Sequence, residues 1–214
     1  GFPSALQMFF EVLFFTVAVW LSGFLGKNPQ AANQIALNLS SMTFMFAMGL
    51  GVTAMIRIGN QKGRKNIIRL RDIAQSIFLL ILIFDVIFCL IFLSLNQFLP
   101  WIYLDGNNPL EFTNVSEVIE IASSLLIISG FFQISDGLQA VVLGALRGLQ
   151  DVNIPALITF FSYGIFGIPI SYLLGICTHL GATGIWIGLL SGLTASALLL
   201  FTRFRYLTNK LKFD

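Results

Sequence analysis

Charged side chains are scarce in this sequence of 214 residues. Only 10% of the residues are Asp, Glu, Lys or Arg, whereas 57% are hydrophobic and the mean hydropathy is +0.88. A water-soluble domain carries charge at roughly a quarter of its positions. Here there is too little polar surface to cover a soluble globule. The composition therefore excludes a soluble globular protein and predicts an integral membrane protein.

The sequence motifs of soluble enzymes and nucleotide-driven pumps are also missing. We find no Walker loop, no HExxH and no GxSxG, and the two cysteines, Cys89 and Cys177, lie far apart without metal-ligand spacing. We therefore predict that the chain is not an enzyme and needs no cofactor. An ATP-driven pump would need a nucleotide site from another chain, so secondary transport is the simpler interpretation.

Long apolar stretches are abundant. Six of them are long enough to cross a ~30 Å hydrocarbon core as helices. We predict an all-α integral membrane fold, a single six-helix lobe over residues 1–214, with spans at about 2–25, 31–55, 73–99, 118–146, 154–177 and 182–204. Pro169 should kink the fifth span. Gly184, Gly188 and Gly192 should let the last span pack closely against a neighbour.

Basic residues are distributed unevenly between alternate connections. Eleven of the twelve Lys and Arg residues lie in the segment 57–72, at Arg147 or from Arg203 onward, and only Lys27 falls on the other side. By the positive-inside rule the 57–72 connection and the C-terminus are cytoplasmic, in a multi-pass protein of the plasma membrane, the inner membrane of a bacterium. The same rule accounts for the basic residues of this segment, so we predict no nucleic-acid partner. Because Phe2 already lies in a span, we expect a fragment whose upstream part is missing.

Three acidic residues lie inside predicted spans, where a charge costs at least ~2.5–3.5 kcal/mol and marks a functional candidate. Two of them, Glu11 and Asp136, lie on polar helix faces at similar depth, and a third polar face lies on the second span. The polar neighbours at helical spacing are Gln7 beside Glu11, Ser129, Gln133 and Gln139 beside Asp136, and Gln34, Asn38 and Ser41 on the second span. Three such faces can enclose a wet cavity, so we predict that Glu11 and Asp136 share one site. Alternatively, each acid only forms a helix–helix hydrogen bond.

Asp85 has different surroundings from the other two acids. Its neighbours at helical spacing, such as Ile81 and Phe88, are apolar, so no polar stripe accompanies it. Two interpretations stay open: a structural acid that pairs with another helix, or a group that meets a part of the protein outside this chain.

Four segments resemble a known family when they are taken in order. They are Gly1-Phe2-Pro3 with Glu11, Asn33-Gln34-Ile35-Ala36-Leu37-Asn38 with Ser40-Ser41, Arg57-Ile58-Gly59 with Gly63, and Phe132-Gln133-Ile134-Ser135-Asp136 through Gly144-Ala145-Leu146-Arg147-Gly148. Together with the glycine-rich last span, they resemble the second lobe of the multidrug and toxic compound extrusion (MATE) family, most closely its NorM branch. The resemblance extends over essentially the whole chain.

The resemblance implies a function and a partner. Members are built from two six-helix lobes and export cationic or amphipathic drugs by alternating access, in exchange for Na⁺ or H⁺. It implies that Glu11 and Asp136 bind the coupling cation, that Phe132 and the polar residues above line the cavity, and that an N-terminal lobe is the partner. Two residues depart from the family pattern, Asn33 where His is frequent and Phe132 where an aromatic hydroxyl is frequent. Asp85 has no counterpart in the pattern.

Two other functions fit a helical membrane protein. One is a lipid or lipid-linked-sugar flippase of related fold, for which a cavity with basic rather than acidic residues is expected. The other is a membrane scaffold subunit that transports nothing, against which the polar stripes argue.

Overall fold

The fold is given by a computed structural model that describes residues 2–104 and 112–211, without the side chains of Phe2, Phe112 and Thr113. Of the residues discussed above, Gly1 and the part of the basic tail beyond Leu211 lie outside the described residues. Helices make up nearly all of the described chain, and no strand occurs in these two ranges.

Within residues 2–104 and 112–211, six helical segments are long and apolar enough to cross a membrane. In chain order the elements are α1 (Phe2–Phe24), α2 (Lys27–Gly63), α3 (Ile67–Leu95), a 3₁₀ turn (Leu99–Ile102), α4 (Phe112–Gly148), α5 (Asn153–Phe161), a π-helical segment (Ser162–Gly167), α6 (Ile168–Ile176) and α7 (Gly181–Lys210). Segments α5 and α6 and the π-helical segment form the fifth span together. The predicted all-α, six-helix membrane fold is confirmed.

The basic segment between the second and third spans is mostly helical. Helix α2 continues to Gly63 and α3 begins at Ile67, so only three residues separate them. Lys65 adopts a left-handed conformation with φ 55°, and the side chain of Asn66 accepts a hydrogen bond from the backbone N–H of Arg69 at 3.0 Å. An Asn at this position satisfies one of the free N–H groups of the helix start.

Helix α4 lies at the centre of the bundle, packed against α2, α3 and α7. Its contact with α2 is very close, because a methyl group at Gly144 would overlap the backbone of Gly51, and one at Gly148 would come within 2.6 Å of the Met55 carbonyl oxygen. Only glycine allows two helix backbones to approach this closely. The approach fixes the register of α4 against α2.

The buried apolar residues form two separate clusters along the helix axes. One cluster contains Phe14, Leu125 and Trp186, and the other contains Ile58 and Leu146. Between them lies a layer of buried polar residues, which includes Ser40, Ser129, Asp85, Gln133, Asp136, Gln139, Ser162 and Ser196. This polar layer is where the site described below lies.

The α-helix of the fifth span is interrupted near Pro169, where a kink was predicted. The interruption is a π-helical segment. The six residues Ser162–Gly167 are π-helical, and Pro169 occupies the first turn of α6. Because proline has no N–H, Pro169 cannot donate a backbone hydrogen bond to the preceding turn. That turn widens to π-helical geometry, and the helix continues.

The glycine stripe of the last helix packs as the sequence predicts. Methyl groups at Gly184, Gly188 and Gly192 would collide with the fifth span, at Leu174, Ser171 and Gly167 respectively. By contrast, the fifth span begins without a side-chain cap. The residue before α5 is Val152, with no side-chain cap, and the Asp151 carboxylate instead accepts a hydrogen bond from Arg203 Nε at 2.8 Å.

Candidate functional site

A cavity of about 380 Å³ opens between α1, α2 and α4 beside the polar layer. Its wall is made of Met8, Glu11, Val12, Phe15, Leu37, Asn38, Ser40, Ser41, Phe44, Met48, Phe132 and Asp136. We call it the open cavity. Its size lies within the range of roughly 300–1,000 Å³ that is typical of small-molecule sites.

The wall of the open cavity is apolar with a few polar groups on it. Rings of Phe15, Phe44 and Phe132 and the flexible thioethers of Met8 and Met48 supply the apolar part. Aromatic and methionine side chains adapt to varied apolar ligands. The two carboxyl groups are the only charged groups among the lining residues. The arrangement suits an amphipathic molecule that carries positive charge.

Glu11 on α1 and Asp136 on α4 line the open cavity together. Asp136 is only 7% exposed, and its Oδ1 atom has no hydrogen-bond partner. Arg147 Nη2 donates to Gln7 Oε1 at 3.2 Å rather than to a carboxylate. Neither acid therefore forms an ion pair in the described residues.

The structure places the other residues predicted for the cavity in several positions. Asn38, Ser41 and Phe132 line the open cavity beside the two acids. Gln34, one turn from Asn38, donates to its side-chain oxygen at 3.3 Å. Gln7 is buried against Arg147.

Gln133 and Gln139 face away from the open cavity. Gln139 Nε2 donates to the hydroxyl oxygen of Tyr163 at 2.5 Å. Gln133 instead lines a second, much smaller cavity, which also borders Asp136.

Asp85 also lines this small cavity, together with Gln133, Asp136 and Thr43. It is 5% exposed, and its carboxylate lies against Gly137 of α4. The polar residues that its own helix lacks are on this neighbouring helix. The Oδ2 atom has no hydrogen-bond partner, so both interpretations of Asp85 stay predictions.

Tyr163 and two serines near the acids do not stand out in the sequence. Tyr163, in the π-helical segment, stacks on Phe14 with ring centroids 4.4 Å apart, and its hydroxyl oxygen accepts from Gln139 Nε2. The hydroxyls of Ser40 and Ser129 are hydrogen-bonded at 2.6 Å across α2 and α4. The sequence feature that could have identified Tyr163 is its aromatic hydroxyl inside a predicted span. Asn33, by contrast, accepts from Trp186 Nε1 at 2.8 Å within the core.

The described residues contain no group of three or more His, Cys, Asp or Glu side chains arranged to hold a metal ion.

A comparison with protein families matches residues 3–173 to the MatE model. The chain belongs to the MatE family. The chain is 35% identical over 215 residues to the probable multidrug resistance protein NorM of Agrobacterium fabrum, which covers 98% of the chain and 44% of that protein. It is 37% identical over 210 residues to the multidrug resistance protein MdtK of Proteus mirabilis, covering 95% and 43%. The resemblance predicted from the sequence is confirmed.

Solved structures show the same fold. The crystal structure of the eukaryotic MATE transporter AtDTX14 superposes with a TM-score of 0.84 at 24% identity, over 98% of this chain and 46% of that one. The chain thus spans about half the length of the curated relatives and structures that it matches, which is consistent with one lobe of a two-lobe transporter. Together with the six membrane-spanning helices, the match makes it a multi-pass membrane protein.

Proposed function

We propose that the chain is the second half of a cation-coupled exporter of cationic or amphipathic drugs. The observation that carries the proposal is the open cavity, in which Glu11 and Asp136 are the only charged groups on a wall of aromatic and methionine side chains. The names of the relatives from Agrobacterium fabrum and Proteus mirabilis, both called multidrug resistance proteins, support it.

Export follows from competition for the two carboxylates. A carboxylate in an apolar cavity lacks the hydration it has in water, so it attracts a cation strongly. The coupling ion, Na⁺ or H⁺, and a positively charged drug cannot both satisfy Glu11 and Asp136. Coupling requires that the ion bind the inward-facing and outward-facing conformations with different affinity. Binding of the ion from outside then displaces the drug.

The partner of the chain is an N-terminal lobe of similar size. The open cavity is bordered by exposed apolar side chains of α1 and α2, among them Val12, Met42 and Met45. In a two-lobe transporter the binding site lies between the lobes, near the middle of the bilayer. We expect the chain alone to confer no efflux, and its fusion to a matching first lobe, such as that of the Proteus mirabilis relative, to restore it.

The charge of the cavity argues for drugs rather than lipid-linked sugars. A flippase for phosphate-bearing lipids needs basic groups to hold the phosphates. The described residues that line the open cavity include two acids and no Lys or Arg. A scaffold without transport activity is also disfavoured, because it has no need for buried acids without ion-pair partners.

The test uses the fused transporter in cells that lack their own exporters. Glu11→Gln and Asp136→Asn keep the size of each side chain and remove its charge, so both should reduce efflux of ethidium to the background level. Asp72→Asn makes the same change on an exposed acid of α3 and serves as the control. Normal efflux by Glu11→Gln and Asp136→Asn, at equal expression, would show that the coupling site lies elsewhere.

The proposed orientation has its own test. A bacterial inner-membrane protein with the basic segment and C-terminus in the cytoplasm should react with an impermeant thiol reagent at a cysteine in place of Lys62 or Lys210 only after the cells are opened. Reaction of the cysteine at either position in intact cells would show that the orientation is the opposite one.

A further inference from the structure

A cavity of about 210 Å³ lies between α3 and α7, at the end of the bundle that carries the basic segment. We call it the basic cavity. None of the described residues that line it also lines the open cavity. The residues used below are Arg71, Gln75 and Phe78 on α3, and Phe201, Arg205 and Asn209 on α7.

Arg71 is fixed in the wall of the basic cavity by the end of α7. Its Nη2 atom donates to the carbonyl oxygen of Thr208 at 2.7 Å and to Asn209 Oδ1 at 3.1 Å. The last four carbonyl groups of a helix have no partner within the helix, so the first of these bonds caps α7. Arginine has five N–H groups in a planar fork. With both hydrogens of Nη2 directed at α7, those of Nε and Nη1 are the ones that Arg71 can offer a ligand.

The second arginine of the basic cavity, Arg205, is exposed and lies against an aromatic ring. Its guanidinium carbon is 5.9 Å from the centroid of the Phe201 ring, one turn earlier on α7. The ring attracts the cation, and a stacked guanidinium keeps its N–H groups for other acceptors. No Asp or Glu is among the described residues that line the cavity. The two arginines therefore have no carboxylate partner in this part of the wall.

The part of the basic cavity nearer the middle of the membrane is aromatic. Phe78 packs edge-on against Phe201 and Phe204, with ring centroids 5.8 and 5.3 Å apart. Further into the membrane, α3 and α7 carry exposed apolar side chains, among them Leu79 and Leu198. The cavity thus has a charged end at the membrane surface and an apolar end toward the lipid.

This arrangement suits a phospholipid with a net negative charge. Guanidinium groups bind phosphates through paired, charge-assisted hydrogen bonds. Basic pockets between membrane helices on the cytoplasmic side bind anionic head groups. The volume of about 210 Å³ is below the range of roughly 300–1,000 Å³ that is typical of drug-sized ligands, so the cavity suits a head group better than a drug. A zwitterionic lipid would bring its ammonium group to the same two arginines.

Capping of α7 by Arg71 does not by itself account for the basic cavity. A cap uses one donor and requires neither a second arginine nor an aromatic floor. Free phosphate has the charge to bind Arg71 and Arg205, but it would gain nothing from Phe78 and Phe201. The apolar end therefore favours a phosphate that is attached to acyl chains.

We propose that the basic cavity binds the phosphate of an anionic glycerophospholipid, with Arg71 and Arg205 as its ligands and the glycerol against Phe78 and Phe201. The proposed orientation places this lipid in the cytoplasmic leaflet, but the site itself does not depend on the proposed function. Because the lipid contacts both helices, it also strengthens the packing of α3 against α7.

The test titrates the purified chain, in a neutral detergent, with phosphatidylglycerol that carries a fluorescent acyl chain, and measures the Kd by anisotropy. Arg71→Gln and Arg205→Gln should each raise the Kd at least tenfold. Arg69→Gln is the matched control, because it removes the same charge from an exposed residue of α3 that is not among those lining the cavity. It should change the Kd less than twofold. Arg205→Lys keeps the charge but not the planar fork, so its Kd should lie between those of the unmodified chain and Arg205→Gln.

Unlabelled competitors identify the source of the phosphate. Phosphatidylglycerol should displace the fluorescent lipid, and phosphatidylcholine should do so at least tenfold less effectively. Inorganic phosphate in large molar excess should leave the fluorescent lipid bound.

A thermal measurement separates binding from folding, because Arg71→Gln also removes the cap on α7. Phosphatidylglycerol should raise the melting temperature of the unmodified chain and of Arg69→Gln. It should not raise that of Arg205→Gln, in which the cap is intact. If Arg71→Gln does not fold, Arg205→Gln carries the test.

Three results would overturn the inference. One is a folded Arg71→Gln or Arg205→Gln variant that binds phosphatidylglycerol with the affinity of the unmodified chain. Another is an Arg69→Gln variant that weakens binding as much as they do, which would indicate attraction to surface charge in general. The third is displacement of the fluorescent lipid by inorganic phosphate, or equally well by phosphatidylcholine. Ethidium efflux is not part of this test, so failure of the proposed function would leave its outcome unchanged.

Discussion

The open cavity and the small cavity share two lining residues, Asp136 and Phe44, but differ in size and in the rest of their walls. The open cavity, at about 380 Å³, is mostly apolar and contains Glu11. The small cavity, at about 10 Å³, has room for about one water molecule and is lined by Asp85, Gln133 and Thr43 as well. Size and lining decide which ligand each can take: a wide apolar wall with two acids suits an amphipathic cation, and a drug cannot enter the small cavity.

The largest effect is expected for Asp136→Asn and Glu11→Gln, because they remove the two acids of the open cavity. We predict loss of ethidium efflux to background for both in the fused transporter. Asp85→Asn, which lies in the small cavity only, should reduce efflux less. If Asp85→Asn abolishes efflux while the other two variants transport normally, the comparison fails.

A strong effect on stability is expected where α4 approaches α2. A methyl group at Gly144 would overlap the Gly51 backbone, which cannot move aside as a side chain can. We predict that Gly144→Ala destabilises the chain by about 1–3 kcal/mol or more and lowers its melting temperature in detergent. Gly49→Ala on α2 is the matched control, because a methyl group there meets nothing within 4 Å. Equal melting temperatures for Gly144→Ala and Gly49→Ala would show that the close approach of α4 to α2 does not limit the stability of the chain.

A moderate effect is expected for Tyr163→Phe. It removes the hydroxyl that accepts from Gln139, and leaving a buried amide unpaired costs about 1–3 kcal/mol. The melting temperature in detergent should fall accordingly. Tyr172→Phe, half-exposed on α6, should leave the melting temperature unchanged. A melting temperature of Tyr163→Phe equal to that of the unmodified chain would show that this hydrogen bond does not contribute to stability.

The smallest effect is expected for an acid that has a basic partner. Asp151 accepts from Arg203 at 2.8 Å outside both cavities, at a partly exposed position. Exposed ion pairs contribute about 0–1 kcal/mol. Asp151→Asn should therefore lower the stability by no more than that and leave efflux unchanged. Loss of efflux by Asp151→Asn would show that transport also depends on an acid that forms an ion pair, and not only on the unpaired acids of the open cavity.

Much of the fold could be predicted from the sequence because the bilayer imposes it. Apolar length predicts the six spans, and the glycines at 184, 188 and 192 predict the close packing of the last one. Helix ends were harder to predict, because α2 extends as a helix to Gly63, beyond its apolar part. The π-helical form of the fifth span could not be predicted either, since Pro169 indicates an interruption and not the way in which it is resolved.

The candidate site was predictable only in part, for a related reason. Glu11 and Asp136 could be paired because each has polar neighbours on its own helix. Asp85 could not be assigned in this way, because its polar neighbours Gln133 and Asp136 belong to another helix and come close only through Gly137. Patterns along one helix reveal one face of a site, whereas a site between helices depends on how closely their backbones pack.

The central claim, that a cation and a drug compete for Asp136, can be measured most directly by drug release. The fused transporter in nanodiscs is loaded with ethidium, and the bound fraction is followed by fluorescence while Na⁺ is added, or while the pH is lowered. We predict that one of the two cations releases ethidium in the unmodified protein, and that in Asp136→Asn neither cation changes the bound fraction. Release from Asp136→Asn at the same cation concentration as from the unmodified protein would contradict the claim.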